Sequence, residues 1–102
     1  MQDFILAKRE EIAELCRKHH VRRLSVFGSA ARDDFDPATS DVDIIVEFEE
    51  FPQTHYLENK FSLHDKLVAE FNRKVDLLTW ESVKNPYFLD VIQKSQWKLY
   101  GD

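Results

Sequence analysis

The chain has 102 residues, 43% of them hydrophobic and 32% charged, with a formal net charge of −5. That length fits a single domain over 1–102 built on one modest core, and the scarcity of Gly and Pro excludes collagen-like repeats and disorder. The acidic balance excludes a long nucleic-acid groove, whose affinity would rest on Lys and Arg, so a phosphate-bearing ligand is expected to be small and held with a metal.

The opening "MQDFILAKREEIAEL" turns charged after six residues and lacks the apolar core of a cleavable signal, and no run approaches the length of a membrane span. From Asp3 to His19, the residues Ile5, Ile12, Leu15, Cys16 and His19 share one side of a 3.6-residue wheel, which predicts an amphipathic helix with Lys8 snorkelling from its apolar face. Cys16 is the only cysteine, so no internal disulfide forms and a reducing cytoplasm is the expected compartment. "VRRLSVFG" reads as a short strand ending in a turn at Gly28, followed by a helical turn from Ser29 to about Asp34. "DFDPATS" is loop chemistry around Pro37.

"DVDIIVEFEE" is a strand rich in β-branched residues. Between about His55 and Asn72, Leu57, Phe61, His64, Leu67, Val68 and Phe71 fall on one face and predict a second long helix. "RKVDLLTW" is a third strand and "NPYFLDVIQKS" a last helix with Pro86 in its first turn. Strands alternating with helices predict an α/β (α+β) layer arrangement, a small mixed sheet of about three to four strands covered by helices on one face.

Residues two apart in a strand point the same way, so Asp41 and Asp43 project together while Val42, Ile44 and Val46 face a core. Paired carboxylates repel and call for a cation. Mg²⁺ takes hard oxygen ligands and leaves positions for substrate phosphate. Asp76 repeats the pattern within "KVDLLTW", and if the two strands are neighbours the three aspartates suit a two-metal site of the kind that clamps an in-line phosphoryl displacement. Gly28 permits close backbone approach, Ser29 offers a hydroxyl and free N–H groups to phosphate, and Arg32 lies one turn on as a charge-assisted contact. An EF-hand is excluded by the missing glycine and by the strand character of "IIVEF", and a P-loop by the missing Gly-Lys-Ser/Thr.

"FGSAAR" (27–32), "SDVDIIVEF" (40–48) and "KVDLLT" (74–79) together resemble the nucleotidyltransferase superfamily of DNA polymerase β, in particular its minimal nucleotidyltransferase branch, related to the antitoxin partners of HEPN-domain toxins. The resemblance covers nearly the whole chain and implies the polymerase β-like fold. It implies that Gly28 and Ser29 bind the triphosphate, that Asp41 and Asp43 bind Mg²⁺, and that Asp76 is the third carboxylate, a metal ligand and base toward the acceptor hydroxyl. It also implies transfer of AMP from ATP to a tyrosine of a HEPN toxin. The eleven residues between Ser29 and Asp41 are a long spacing for the family, and the added length falls in a loop where insertion costs little.

Three functional expectations follow: a Mg²⁺-dependent adenylyltransferase acting as antitoxin, a nucleotide-binding antitoxin that neutralises by occlusion, and a stand-alone transferase on a small hydroxylated molecule. With no acceptor-binding domain in 102 residues, a partner protein or a homodimer cleft must present the hydroxyl. Cys16, His19 and His20 read as packing and helix-end residues rather than zinc ligands, and His64 as a core or rim histidine. Arg22, Arg23, Arg73 and Lys74 read as solvated strand ends, and Trp80 and Trp97 as packing anchors. "WKLYGD" is read as a segment that can dock a partner.

Overall fold

The first amphipathic stretch folds as two helices rather than one. α1 spans Asp3–Leu6 and α2 Arg9–Lys18, and between them the Lys8 N–H donates to the Ile5 carbonyl at 3.1 Å, a tighter i to i+3 turn. The break falls at the one cation on the apolar stripe and turns Lys8 out toward Glu70, 3.8 Å away. Ile5, Ile12 and Cys16 still reach the same core, all fully buried. The computed structural model describes residues 2–32, 36, 40–50 and 53–101.

Four strands follow, β1 (Val21–Phe27), β2 (Val42–Phe48), β3 (Val75–Thr79) and β4 (Trp97–Tyr100), in the order β3-β2-β1-β4. β1 runs antiparallel to β2 and β4, and β2 runs parallel to β3. A parallel pair needs a crossover, supplied here by α3 (Tyr56–Phe71), which ends at Asn72 in the left-handed conformation that Asn tolerates. Arg23 grips Glu47 with two hydrogen bonds, 3.1 and 3.0 Å, across their β1–β2 pairing and helps hold the register. The last helix, α4 (Pro86–Ser95), starts where the Asn85 side chain accepts from the Tyr87 and Phe88 N–H groups, with Pro86 at its first position.

Period-two alternation divides the sheet into two faces. Leu24, Val26, Val42, Ile44, Val46 and Val75 pack under α1, α2 and α3 in the main core. This is the expected helical layer on one face. On the other face Phe27, Ile45 and Ile92 form a smaller cluster beneath α4, with Trp80 and Leu78 against it. Asp43 and Asp76 belong to this second face, beside α4.

Several expectations change. The segment expected to dock a partner contains strand β4; four residues give too little alternation to announce a strand, and only Leu99 within it is buried. Trp97, expected as a packing anchor, is 46% exposed on that edge strand, whereas Trp80 does pack. On α3 the buried face is Leu63, Leu67 and Phe71, while Leu57 and Phe61, from the apolar stripe read in the sequence, are 62% exposed. The helix rotates to seat Leu63 over the sheet and leaves the first two turns of the apolar stripe in solvent. The turn after β1 is a single 3-10 turn, Gly28–Ala31, shorter than expected; Asp34 and Pro37 lie outside the described residues.

Candidate active site

β1 delivers its glycine directly onto the second strand's carboxylate. Phe27 pairs with Asp43, and Gly28 follows with φ +67°, a left-handed conformation that L side chains resist. A Cβ at Gly28 would lie 2.6 Å from Asp43 Oδ2, so the backbone approaches the carboxylate as closely as only glycine allows. The turn that follows is anchored from the N-terminus: Gln2 N–H donates to Ala30 O at 3.3 Å and Gln2 Nε2 donates to Arg32 O at 2.7 Å. Ala30 is fully buried beneath it, leaving Ser29 half-buried and Arg32 exposed.

The parallel register of β2 and β3 sets Asp43 opposite Asp76. Both point to the α4 face, and their carboxyl groups are within hydrogen-bonding reach. Burial raises the Asp43 carboxyl to about 6, reinforced by the charge and hydrogen bond of Asp76 and the charge of Asp41, with Arg32 pulling the other way. Asp41, at the mouth, faces Lys74 with Nζ 3.7 Å from Oδ2. Among the described residues no three acidic, His or Cys side chains close on a common metal position, because Asp41 is drawn to Lys74 while Asp43 and Asp76 face each other. The donor chemistry nonetheless fits Mg²⁺: hard carboxylate oxygens, two of them paired at a cost that a cation between them would relieve.

A cavity of about 380 Å³ opens over this pair, walled by Phe27, Gly28, Asp43, Asp76, Leu77, Leu78, Phe88 and Val91. Thus Gly28, Asp43 and Asp76 share one cleft, and Asp41 and Arg32 act on Asp43 from its margin. Phe88 and Val91 escaped the sequence reading. Their spacing with Ile92 on α4 was the available signal, but the stripe has one buried member, Ile92, and two exposed ones. Of the four strand-end cations only Lys74 is at the site; Arg23 pairs with Glu47 and Arg73 lies 4.3 Å over the Phe4 ring.

Cys16, His19 and His64 are tied into the fold. Burial lifts the Cys16 thiol to about 12, and His19 Nδ1 donates to the Leu15 carbonyl at 2.7 Å with Nε2 3.0 Å from Ser62 Oγ. His64 Nε2 donates to the Val75 carbonyl at 2.8 Å, tying α3 to β3. No helix of the described residues is long and apolar enough to cross a membrane.

The likeness to known proteins runs over nearly the full length. The chain is 40% identical over 90 residues, 88% of its own length and 86% of the relative's, to the candidate protein adenylyltransferase MJ0128 of Methanocaldococcus jannaschii. A solved candidate minimal nucleotidyltransferase superposes with a TM-score of 0.76 at 26% identity, covering 94% of this chain and 95% of that one. A complex of a tri-AMPylated Shewanella oneidensis HEPN toxin with MNT antitoxin contains a chain of the same fold, with a TM-score of 0.65 at 19% identity over 95% of this chain and 72% of that one. Residues 9–97, from the first turn of α2 to the first residue of β4, match the nucleotidyltransferase domain, and the chain belongs to that enzyme family.

Proposed function

We propose that this nucleotidyltransferase moves AMP from ATP to a tyrosine hydroxyl of a HEPN-type toxin and thereby acts as its antitoxin. The observation that carries the reading is the contiguity of Gly28, Asp43 and Asp76 in one cleft. Its support for a protein acceptor is the 40% identity to a candidate protein adenylyltransferase, and for a HEPN partner the shared fold with the antitoxin complex.

Asp41, Asp43 and Asp76 would hold Mg²⁺, as two ions, and when bound the metal neutralises phosphate charge in the transition state. Gly28 admits the triphosphate close to the backbone, with the Ser29 hydroxyl and Arg32 at its outer phosphates. The acceptor oxygen forms its bond to the α-phosphorus while the bond from that phosphorus to the pyrophosphate oxygen breaks. The hydroxyl proton passes to the Asp76 carboxylate, and pyrophosphate leaves past Gly28. Labelled ATP, Mg²⁺ and the partner should give a labelled partner, and an Asp41→Asn/Asp43→Asn variant should not. Equal labelling by that variant would remove the mechanism, and full neutralisation without transfer would make the chain an occluding antitoxin.

A further inference from the structure

Asp76 stands on an edge strand and is reached from two sides. The cleft on the α4 side also holds Gly28 and Asp43. A second cleft, about 230 Å³, lies on the α3 side and contains Asp76 with Lys60, Phe61, His64, Val75 and Leu77, but neither Gly28 nor Asp43. Across the sheet the order is the end of β1 with Gly28, then Asp43 on β2, then Asp76 on outer β3.

In-line displacement demands that the attacking and leaving oxygens lie on opposite sides of the phosphorus. With pyrophosphate leaving on the Gly28 side, the acceptor approaches from the side of outer β3, where the second cleft also reaches Asp76. Its walls are apolar on Phe61, Val75 and Leu77, and its size suits a single aromatic ring. Leu57, outside it, stands one turn from Phe61 on α3, and each is 62% exposed. Large apolar side chains exposed at helical spacing beside a cleft mark a surface that another protein covers.

We infer that the cleft between α3 and the outer edge of β3 receives the tyrosine side chain of the AMP-accepting protein, with Leu57 and Phe61 as its docking ridge. The inference rests on the transfer reaction proposed above. It makes Phe61 a determinant of acceptor binding that leaves the nucleotide untouched. His64 is a positioning residue, since its hydrogen bond to Val75 fixes the cleft wall.

The test is an NMR titration of the labelled full chain with Mg²⁺ and α,β-methylene-ATP, then with N-acetyltyrosinamide, and N-acetylserinamide as control. The nucleotide should move the Gly28 and Asp43 amides, and tyrosinamide alone of the two acceptors should move Phe61, His64 and Leu77. Phe61→Ala should weaken tyrosinamide binding about tenfold, the loss of roughly one aromatic contact, and hold nucleotide affinity within about twofold. Leu57→Ala, at an equally exposed position, should raise the KM for the whole partner protein and spare kcat. Tyrosinamide shifts confined to Phe88 and Val91, or none at saturation, overturn the inference while leaving the reaction standing. Nucleotide shifts that avoid Gly28 and Asp43 overturn the reaction reading and the inference with it.

Discussion

Asp43 and Asp76 are direct partners in the parallel pairing of β2 and β3, with carboxyl groups near enough to hydrogen-bond on a half-buried face. In the absence of metal this is a liability, because burial and the neighbouring charge raise the Asp43 carboxyl to about 6, above the unfolded value near 3.8. Folded protein therefore binds more protons than unfolded between those values, and stability falls as pH rises through that window.

Asp43→Asn removes this cost together with a proposed metal ligand. In metal-free buffer at pH 7.5 the variant should gain about 1 kcal/mol, the shift being discounted for the exposure of the group, or roughly 4–8 °C in Tm. At pH 4 the gain should shrink toward zero, as Asp43 is then protonated in the folded wild type. Thermal melts at the two pH values check the sign; a variant less stable at both would mean that the Asp43 carboxylate is stabilising.

Gly28→Ala places a methyl 2.6 Å from Asp43 Oδ2 at φ +67°. The carboxylate can swing aside, so the fold should lose only about 1–2 kcal/mol from the left-handed backbone. AMP transfer should fall at least about a hundredfold, a loss of roughly 2.7 kcal/mol in transition-state stabilisation. Gly101→Ala is the control: at φ +95° its Cβ would collide with the Arg22 carbonyl oxygen, among residues that line none of the site. It should destabilise at least as much and leave the transfer rate of the folded fraction unchanged. Equal kinetic damage from both would reduce Gly28 to a folding residue.

Lys74 pairs with Asp41, a carboxylate that in the proposed function would hold Mg²⁺. The pair is 3.7 Å apart with Lys74 exposed and Asp41 partly buried, so Lys74→Met should change stability by less than about 0.5 kcal/mol. Removing this cation should lower the Mg²⁺ concentration for half-maximal activity about threefold, within the range of one exposed charge pair. An unchanged Mg²⁺ requirement with a raised KM for ATP would assign Lys74 to the triphosphate.

The site was legible where chemistry and strand period coincide. A carboxylate at Asp43 or Asp76 inside an apolar strand contradicts its surroundings, and period two then settles which face each occupies. The register that makes them partners is a long-range property, fixed by the crossover through α3 and invisible in either segment. Phe88 and Val91 were missed because α4 covers the second face of the sheet with only Ile92 fully buried. Leu57 and Phe61 misled in the opposite direction: periodicity records an apolar face, but whether the chain's own sheet covers it depends on how α3 rotates to bury Leu63. β4 was lost to its brevity, and the 3-10 turn after Gly28 to the buried Ala30, which closes it after four residues.

The central claim is that paired strand carboxylates, set against Gly28, transfer AMP to a protein. Its most direct measurement is incubation of the chain with ATP labelled at the α-phosphate, Mg²⁺ and a purified HEPN partner, followed by mass spectrometry of the partner. The account predicts adenylylated tyrosine with the wild-type chain, and none with Asp41→Asn/Asp43→Asn or with EDTA present. Equal modification by the double variant, or a neutralised but unmodified partner, would contradict it.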